Sequence, residues 1–449
     1  MISDVRVLFV GLLKAAMIVV AANIVFFSLI AAVDTSIDHR IIRDRLVEAA
    51  RQGVINDQDN PPELPIYSDR FTDCLAMSLN LPDSPARNAF EMIRDTEIAK
   101  IEVMGACRAL VMMLKDRNSV GTQNYVRYWH GYQIISKPFL RFGDVRDLRY
   151  IVACMLVGLV FLFSLNVASA LVNANHTALF ALWFAAGYLL LTDGADMGNV
   201  FTHGISLVEI FAAALGAFWA VKARSRVSLL SMAVLIGCVN SFFDLLFNPP
   251  LGLSALAVGV VAAKAQEPST TRDILRTVVV LAIGWGIGFF GTYACRFVIA
   301  LLLSPSPLAT LQEIVEAGLL RVSGGGDKIK QVVGWATVKN YGYPMLRPSF
   351  AVFVAITAAF AAALRFGGYR WTWRPVLLIL LAPGLISVLW FEALRNHSQH
   401  HHWFTYRSAS FSLVCLAACL MFGFSDRDPS KTGESAHRQF GDTEANLRS

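Results

Sequence analysis

The chain has 449 residues, 55% of them hydrophobic and only 16% charged. That balance excludes an ordinary soluble enzyme and places the chain among polytopic membrane proteins. The net charge of +6 calls for no nucleic-acid partner, because Lys and Arg gathered at the ends of apolar runs set orientation in a bilayer.

Windows of about 19 residues give ten candidate spans, at 7–33, 150–172, 177–192, 205–222, 228–247, 251–265, 276–303, 349–365, 375–393 and 408–424. The first run exceeds the roughly 20 residues that cross the hydrocarbon core and is too long for a typical signal-peptide core. It reads as an uncleaved anchor, with cleavage after the small residues of SLIAAVD as the alternative. In the external segment that follows, SIDHRIIRDRLVEAARQG has the amphipathic pattern of a helix lying on a membrane surface. NPPELP ends it, and ARNAFEMIRDTEIAKIEVMGACRALVMMLKDR reads as a second helical stretch. Pro249, Pro250 and the neighbouring glycines make the sixth span a candidate re-entrant piece.

The expected fold class is therefore all-α, a polytopic membrane protein with about ten transmembrane helices and a large, mostly helical external loop after the first. The expected organisation is an N-terminal transmembrane helix (1–33), a periplasmic helical domain (34–149), transmembrane helices two to seven (150–303), a periplasmic loop (304–348), transmembrane helices eight to ten (349–424) and a polar, disordered cytoplasmic tail (425–449). Orientation comes from the short basic loops KARSR, AKAQEPSTTRDILR and RFGGYRWTWR, which belong in the cytoplasm. Both termini then lie inside a bacterial inner membrane, and every unusual polar cluster faces outward. A transporter more often spreads polar residues toward the midplane, whereas an enzyme with a one-sided site gathers them.

Cys74 and Cys107 share the external segment, where an oxidising compartment would allow a disulfide; the other five cysteines sit in apolar runs. No P-loop, dinucleotide fingerprint, CxxC pair or internal repeat is present.

The outward-facing acids are Asp34, Asp38, Asp73, Asp193, Asp196, Glu209 and Asp244. At or near membrane depth each needs a partner or water, so the set reads either as ion pairs or as a general base and divalent-metal site. Arg296, Arg347 and Arg407 can present forked donors to a lipid phosphate, with Lys339 nearby; the plain alternative for Arg296 is snorkelling. In RNHSQHHHWFTYR, a continued helix puts His397, His400 and His401 on one face. That spacing suits a metal, hydrogen bonds from the imidazoles, Asn396 and Tyr406 to sugar or phosphate, or an interfacial network. YVRYWHGYQIISKPFL interleaves Trp129, His130 and Tyr132 with cations, which fits a carbohydrate platform or an aromatic belt.

TDCLAM, RYWHGY, FDLLFNPPLG and NHSQHHHWFTYR resemble segments of a set of bacterial polytopic membrane proteins. In architecture the chain also resembles GT-C glycosyltransferases, in which many spans surround an outward-facing pocket beneath a long first external loop. That resemblance implies transfer of a sugar from a polyprenyl-phosphate donor to a glycan or lipid acceptor, among membrane lipids and with no nucleic acid. It implies Asp34 or Asp73 as base, with His397, His400, His401 and the arginines holding the phosphate and His203 among the binding residues. Mg or Mn through Asp193 and Asp196 is compatible and not required. The chain departs from the family pattern where an acidic pair is expected, since Thr, Ser and Ile separate Asp34 from Asp38. The rival classes are a lipid-linked saccharide transporter or flippase, and a membrane O-acyltransferase using His130 or His203.

Overall fold

The structure is a computed structural model that describes residues 2–59, 70–79, 81, 96–100, 105–116, 119–172, 176–194, 201–265, 270–324, 332–424 and 426–427. In chain order its elements are α1 (Ile2–Ser36), α2 (His39–Arg51), α3 (Arg70–Ser78), β1 (Glu97–Ala99), α4 (Ala106–Lys115), β2 (Thr122–Asn124), α5 (Gln133–Phe142), α6 (Val145–Leu171) and α7 (Thr177–Leu191). There follow α8 (Phe201–Lys222), α9 (Leu229–Phe243), α10 (Pro249–Lys264), α11 (Thr271–Leu303), α12 (Pro307–Ser323), α13 (Trp335–Met345) and α14 (Pro348–Phe366). The chain then runs through β3 (Tyr369–Arg370), a 3-10 turn (Pro375–Leu381), α15 (Ala382–Ala393), α16 (Arg395–His400), α17 (His402–Met421) and β4 (Asp426–Arg427).

Among the described residues seven helical segments are long and apolar enough to cross a membrane, and α7, α9 and α10 are shorter apolar helices. The all-α polytopic class is therefore what the chain adopts. Local chemistry sets the helix starts. Asp144 and Asp147 form a reciprocal capping box ahead of α6, and Thr270 and Asp273 do the same ahead of α11, so both helices begin about five residues before their apolar runs. Pro249 and Pro250 occupy the first turn of α10, where the missing amide hydrogens cost nothing. That helix is continuous over 16 residues and buried along its length at the centre of the bundle.

Helices α9 and α11 cross almost backbone to backbone. A Cβ at Gly288 would stand 2.0 Å from the carbonyl oxygen of Val234, and one at Gly237 would stand 2.2 Å from that of Trp285. Without a hydrophobic drive between helices in lipid, small residues that permit such approach supply the packing.

Several expectations change. The stretch read as one helix over 86–117 contains β1, paired antiparallel with β2, and then α4; its residues 86–95, 101–104 and 117 lie outside the described residues. The loop 304–348 carries α12 and α13. RNHSQHHHWFTYR is α16 and the first turns of α17 with the break at His401, so His397, His400 and His401 share one side of α16, the His401 ring 4.7 Å from that of His397 and 6.2 Å from that of His400. Of the polar tail, Asp426 and Arg427 pair with β3; residues 425 and 428–449 lie outside the described residues.

One end of the bundle gathers RFGGYRWTWR. There Arg374 reaches the carbonyls of Leu171 and Phe422, and Trp371 donates to Leu420 O at 2.9 Å, tying the ends of α6 and α17 together. The opposite end carries the small domain of α2 to α5, whose α3 and α4 are joined by a Cys74–Cys107 disulfide. A thiol count on the unfolded, unreduced chain should therefore find five reactive cysteines, rising to seven after reduction. Replacing both Cys74 and Cys107 by Ala should cost about 2–4 kcal/mol in thermal unfolding.

Candidate functional site

Asp73 is the seat of the external domain. It is fully buried, and its oxygens accept the amides of Phe201 (3.1 Å) and Thr202 (3.2 Å) and the Thr202 hydroxyl (2.9 Å), with Arg149 at 3.4 Å. These donors are the otherwise unpaired first amides of α8, so Asp73 serves as the cap of a helix on another segment. Burial pushes its carboxyl up to about 6, against the pull of Arg149 and the Thr202 and Phe201 hydrogen bonds. The expectation that Asp73 acts as base is corrected: its oxygens are committed to α8 and Arg149.

The YWHGY segment is wedged onto the ends of α9 and α11. Gly131 donates to Phe242 O at 2.9 Å, and a Cβ there would meet the Phe242 ring at 2.5 Å, so glycine is required. Trp129 donates to Thr292 O at 3.2 Å and packs with Phe26 and Phe242. Trp129, His130 and Tyr132 are all buried. Neither the sugar platform nor the interfacial belt survives for them. Arg296, 1% exposed, holds the same segment through Tyr128 O and the Thr96 hydroxyl, both at 3.1 Å, beneath the Trp129 ring. It is a protein crosslink, which corrects both the lipid-clamp and the snorkelling expectations.

Around this wedge the two histidine-bearing motifs meet. His397 is buried, its Nε2 3.1 Å from Leu246 O, and its ring lies beside His401 and Phe404. His203 packs against Phe247 (3.8 Å between centroids) and Phe404. Asp244 closes the intervening turn by accepting the amides of Phe247 (2.6 Å) and Asn248 (3.1 Å). That turn, with Leu246 at φ +64°, aims the Leu246 carbonyl at His397. Arg321 on α12 donates to Tyr128 Oη at 2.8 Å, and its neighbour Leu320 accepts from Asn396 at 2.6 Å, so α12 joins the Tyr motif to the His motif. Sequence reading missed Arg321 because LLRVSGGG looked like loop; the apolar i, i+3, i+4 spacing of α12 was the available signal. His400 is exposed and borders this packing, its ring centroid 6.2 Å from that of His401.

A second cluster lies one turn further along α17. Asp193, at φ +53°, pairs with Arg347 and accepts from Tyr406 Oη at 3.1 Å. Arg347 also stacks on Tyr343, 4.2 Å from the ring centroid, and donates to its hydroxyl at 2.7 Å. Beside them Arg407 is 2% exposed, with one long hydrogen bond to Phe404 O (3.5 Å) and no partner for Nε. The Tyr188 hydroxyl, close enough to feel the Arg407 charge, is buried without a partner as well. Asp193 is taken up by Arg347 and Tyr406, an arrangement that leaves it poorly placed to bind a cation, and Asp196 lies outside the described residues. Among the described residues no three His, Cys, Asp or Glu side chains are placed to share a metal ion.

The remaining acids stand apart. Asp34 pairs through Oδ1 with Lys137, while its buried Oδ2 has no partner. Glu209 accepts twice from Asn240 (2.9 and 2.7 Å), and Asn240 accepts from Trp285 at 2.7 Å, a relay that joins α8, α9 and α11.

Comparison with known proteins makes no assignment: no family model, curated protein or solved structure matches the chain.

Burial pulls His130 down to about 3, against its hydrogen bond to Tyr125 O. It also holds His397 well below its ordinary 6.5, assisted by the charges of His401 and Arg321. Below 6.5 the unfolded chain takes up protons that these folded histidines refuse. Their contribution to stability is therefore complete above about 6.5 and is lost as pH falls toward 3. Asp73 acts in the opposite sense between 3.8 and 6, and Asp244, raised by burial to about 7, does the same. Removing the histidine share by His130→Gln should make thermal stability respond less unfavourably to acidification below 6.5, by up to about 1.4 kcal/mol per pH unit. Asp73→Ala, which strands buried Arg149, should cost about 3–5 kcal/mol at neutral pH. A smaller loss than a typical cap, about 1 kcal/mol, would remove Asp73 from its role as the domain's seat.

Proposed function

We propose that the chain is a glycosyltransferase of the bacterial inner membrane, in which α7, α9 and α10 also cross the bilayer to give ten spans. It moves a sugar from a polyprenyl-phosphate donor to a glycan or lipid acceptor at the periplasmic face, with both termini in the cytoplasm. The observation that carries this proposal is Arg407, a buried guanidinium with no acidic partner among the described residues, next to Arg347 and the tyrosine hydroxyls. An unpaired cation in a low-dielectric site is costly, and a phosphate accepts its forked donors two at a time. Among the described residues Asp193 is the single acid paired in this cluster against Arg347 and Arg407, which leaves it with net positive charge for an anion.

The histidines supply the proton chemistry. Leu246 O can only accept, so Nε2 of His397 carries the hydrogen and neutral Nδ1 keeps a lone pair. In the transfer, the acceptor hydroxyl oxygen forms a bond to the sugar's anomeric carbon and its proton passes to Nδ1. The bond from that carbon to the phosphate oxygen breaks, and the electron pair leaves with the phosphate. Arg407 and Arg347 stabilise the charge that develops there. Phosphate nearby favours the protonated imidazole, offsetting the burial that holds His397 down. Asp34, with one oxygen held by Lys137 and one free, is the carboxylate alternative as base. The O-acyltransferase alternative fares worse, since His130 and His203 are both buried in protein.

In reconstituted vesicles, incubation with a polyprenyl-phosphate sugar should release polyprenyl phosphate and a glycosylated product. His397→Ala and Arg407→Gln should each lower the rate by at least about tenfold, roughly 1.4 kcal/mol of barrier, with folded yield retained. Loss of transfer in Asp34→Asn together with wild-type rates in His397→Ala would move the base to Asp34. Movement of the intact lipid across the membrane without a covalent product would replace the enzyme with a flippase.

A further inference from the structure

The YWHGY segment itself, Tyr128 to Tyr132, is buried, but Tyr125 and Arg127 just ahead of it are only half-buried. So are Tyr293 on α11 and Arg321 on α12, and Tyr128 joins all four. Its ring centroid lies 5.8 Å from that of Tyr125 and 6.2 Å from that of Tyr293. The Arg127 guanidinium sits 5.7 Å from the Tyr125 ring centroid, and that of Arg321 sits 5.6 Å from the Tyr128 ring centroid. Three tyrosine rings and two guanidiniums, drawn from three separate segments, thus share one half-open corner at this end of the bundle.

The corner is rich in donors. Among the described residues neither Arg127 nor Arg321 has an acidic partner. Arg127 Nε and the Tyr293 hydroxyl are buried atoms without a hydrogen bond. Tyr128 Oη accepts from Arg321 at 2.8 Å, which leaves its own hydrogen to donate. The adjoining carbonyls are already engaged: Tyr125 O by His130 Nε2 (3.3 Å), Tyr128 O by Arg296 (3.1 Å) and Ala317 O by Arg321 (2.9 Å). Two guanidiniums repel a cation, and neutral hydroxyls need acceptors for their hydrogens. A carboxylate, planar and acceptor-only, matches the donors that remain.

We propose that this corner binds an acidic sugar, its carboxylate on Arg127, Arg321 and the Tyr293 hydroxyl and its apolar C–H face against the half-buried tyrosine rings. A guanidinium fork takes two carboxylate oxygens at once, and an aromatic face takes the sugar ring. That combination favours a saccharide carboxylate over a bare phosphate, which has no C–H face to offer the rings. The inference rests on the transfer function above in one respect, that it makes the acceptor an acidic glycan. The charge of Arg321 also reaches His397, the proton acceptor in that function, so the anchored sugar and the imidazole share one neighbourhood.

The test uses the full chain in phosphatidylcholine nanodiscs, with methyl glucuronide as probe and methyl glucoside as its neutral counterpart. Saturation-transfer NMR should show the glucuronide bound at least about tenfold more tightly than the glucoside. Arg127→Gln removes a guanidinium that stacks on the Tyr125 ring, and Tyr293→Phe removes only an unpartnered hydroxyl, so both should keep the wild-type melting curve. Each should weaken glucuronide binding by about tenfold and leave glucoside binding unchanged. Equal affinity for the two sugars, no binding of either, or full glucuronide affinity in both variants would overturn the proposal. Inorganic phosphate that displaces the probe at a lower concentration than free glucuronate does would make the corner a phosphate site and overturn it as well. Because binding is read without turnover, glucuronide binding with no sugar transfer would sink the transferase function alone. Continued transfer with no glucuronide binding would sink the acidic-sugar site alone.

Discussion

The arrangement of the polar end depends on one carboxylate. Asp73 belongs to the external domain, yet its oxygens terminate α8 of the bundle and neutralise Arg149 of α6. Through the Cys74–Cys107 bond the same residue's helix carries α4, and through the adjoining Tyr132–Phe201 contact it fixes the end of the YWHGY wedge. A helix start buried in protein must find acceptors for its free amides. By supplying them from a segment 128 residues earlier, the chain turns a local requirement into the joint between its two parts.

The other buried ionisable groups obey the same rule of compensation in different ways. Arg296 spends its charge on a carbonyl, a hydroxyl and an indole face. Asp34 has Lys137, and Glu392 has the amides of Gly334 and Thr337 together with Arg395. The histidines are accommodated by staying neutral. Arg407 is compensated more weakly, by one long hydrogen bond to Phe404 O, with no partner for Nε.

Much of this was legible in the sequence. Apolar run length marked the seven helical segments long enough to cross a membrane and the three shorter apolar helices, because lipid allows almost no other backbone solution than a helix. The convergence of acids, histidines and aromatics on one end followed from counting spans. What sequence hides is which polar side chains are spent on the protein itself. Asp73 looks like a base until its donors are seen, and Trp129, Tyr132 and Arg296 look like binding residues until their burial is known. The opposite error affected 304–348, where turn-forming SPSP and SGGG masked two helices, and with them Arg321. In RNHSQHHHWFTYR the helical spacing was legible, whereas the contact of His397 with Leu246 O, 151 residues away, is one that no periodicity encodes.

The glycine crossing of α9 on α11 has a mechanical consequence. With main chain resting on main chain at Gly237 and Gly288, those two helices have no side-chain cushion to slide upon and can move only as one body. Because α1 packs on both, that body forms a stator. Any breathing of the bundle is then directed elsewhere, as to the contact where α7 and α14 meet through aromatic rings.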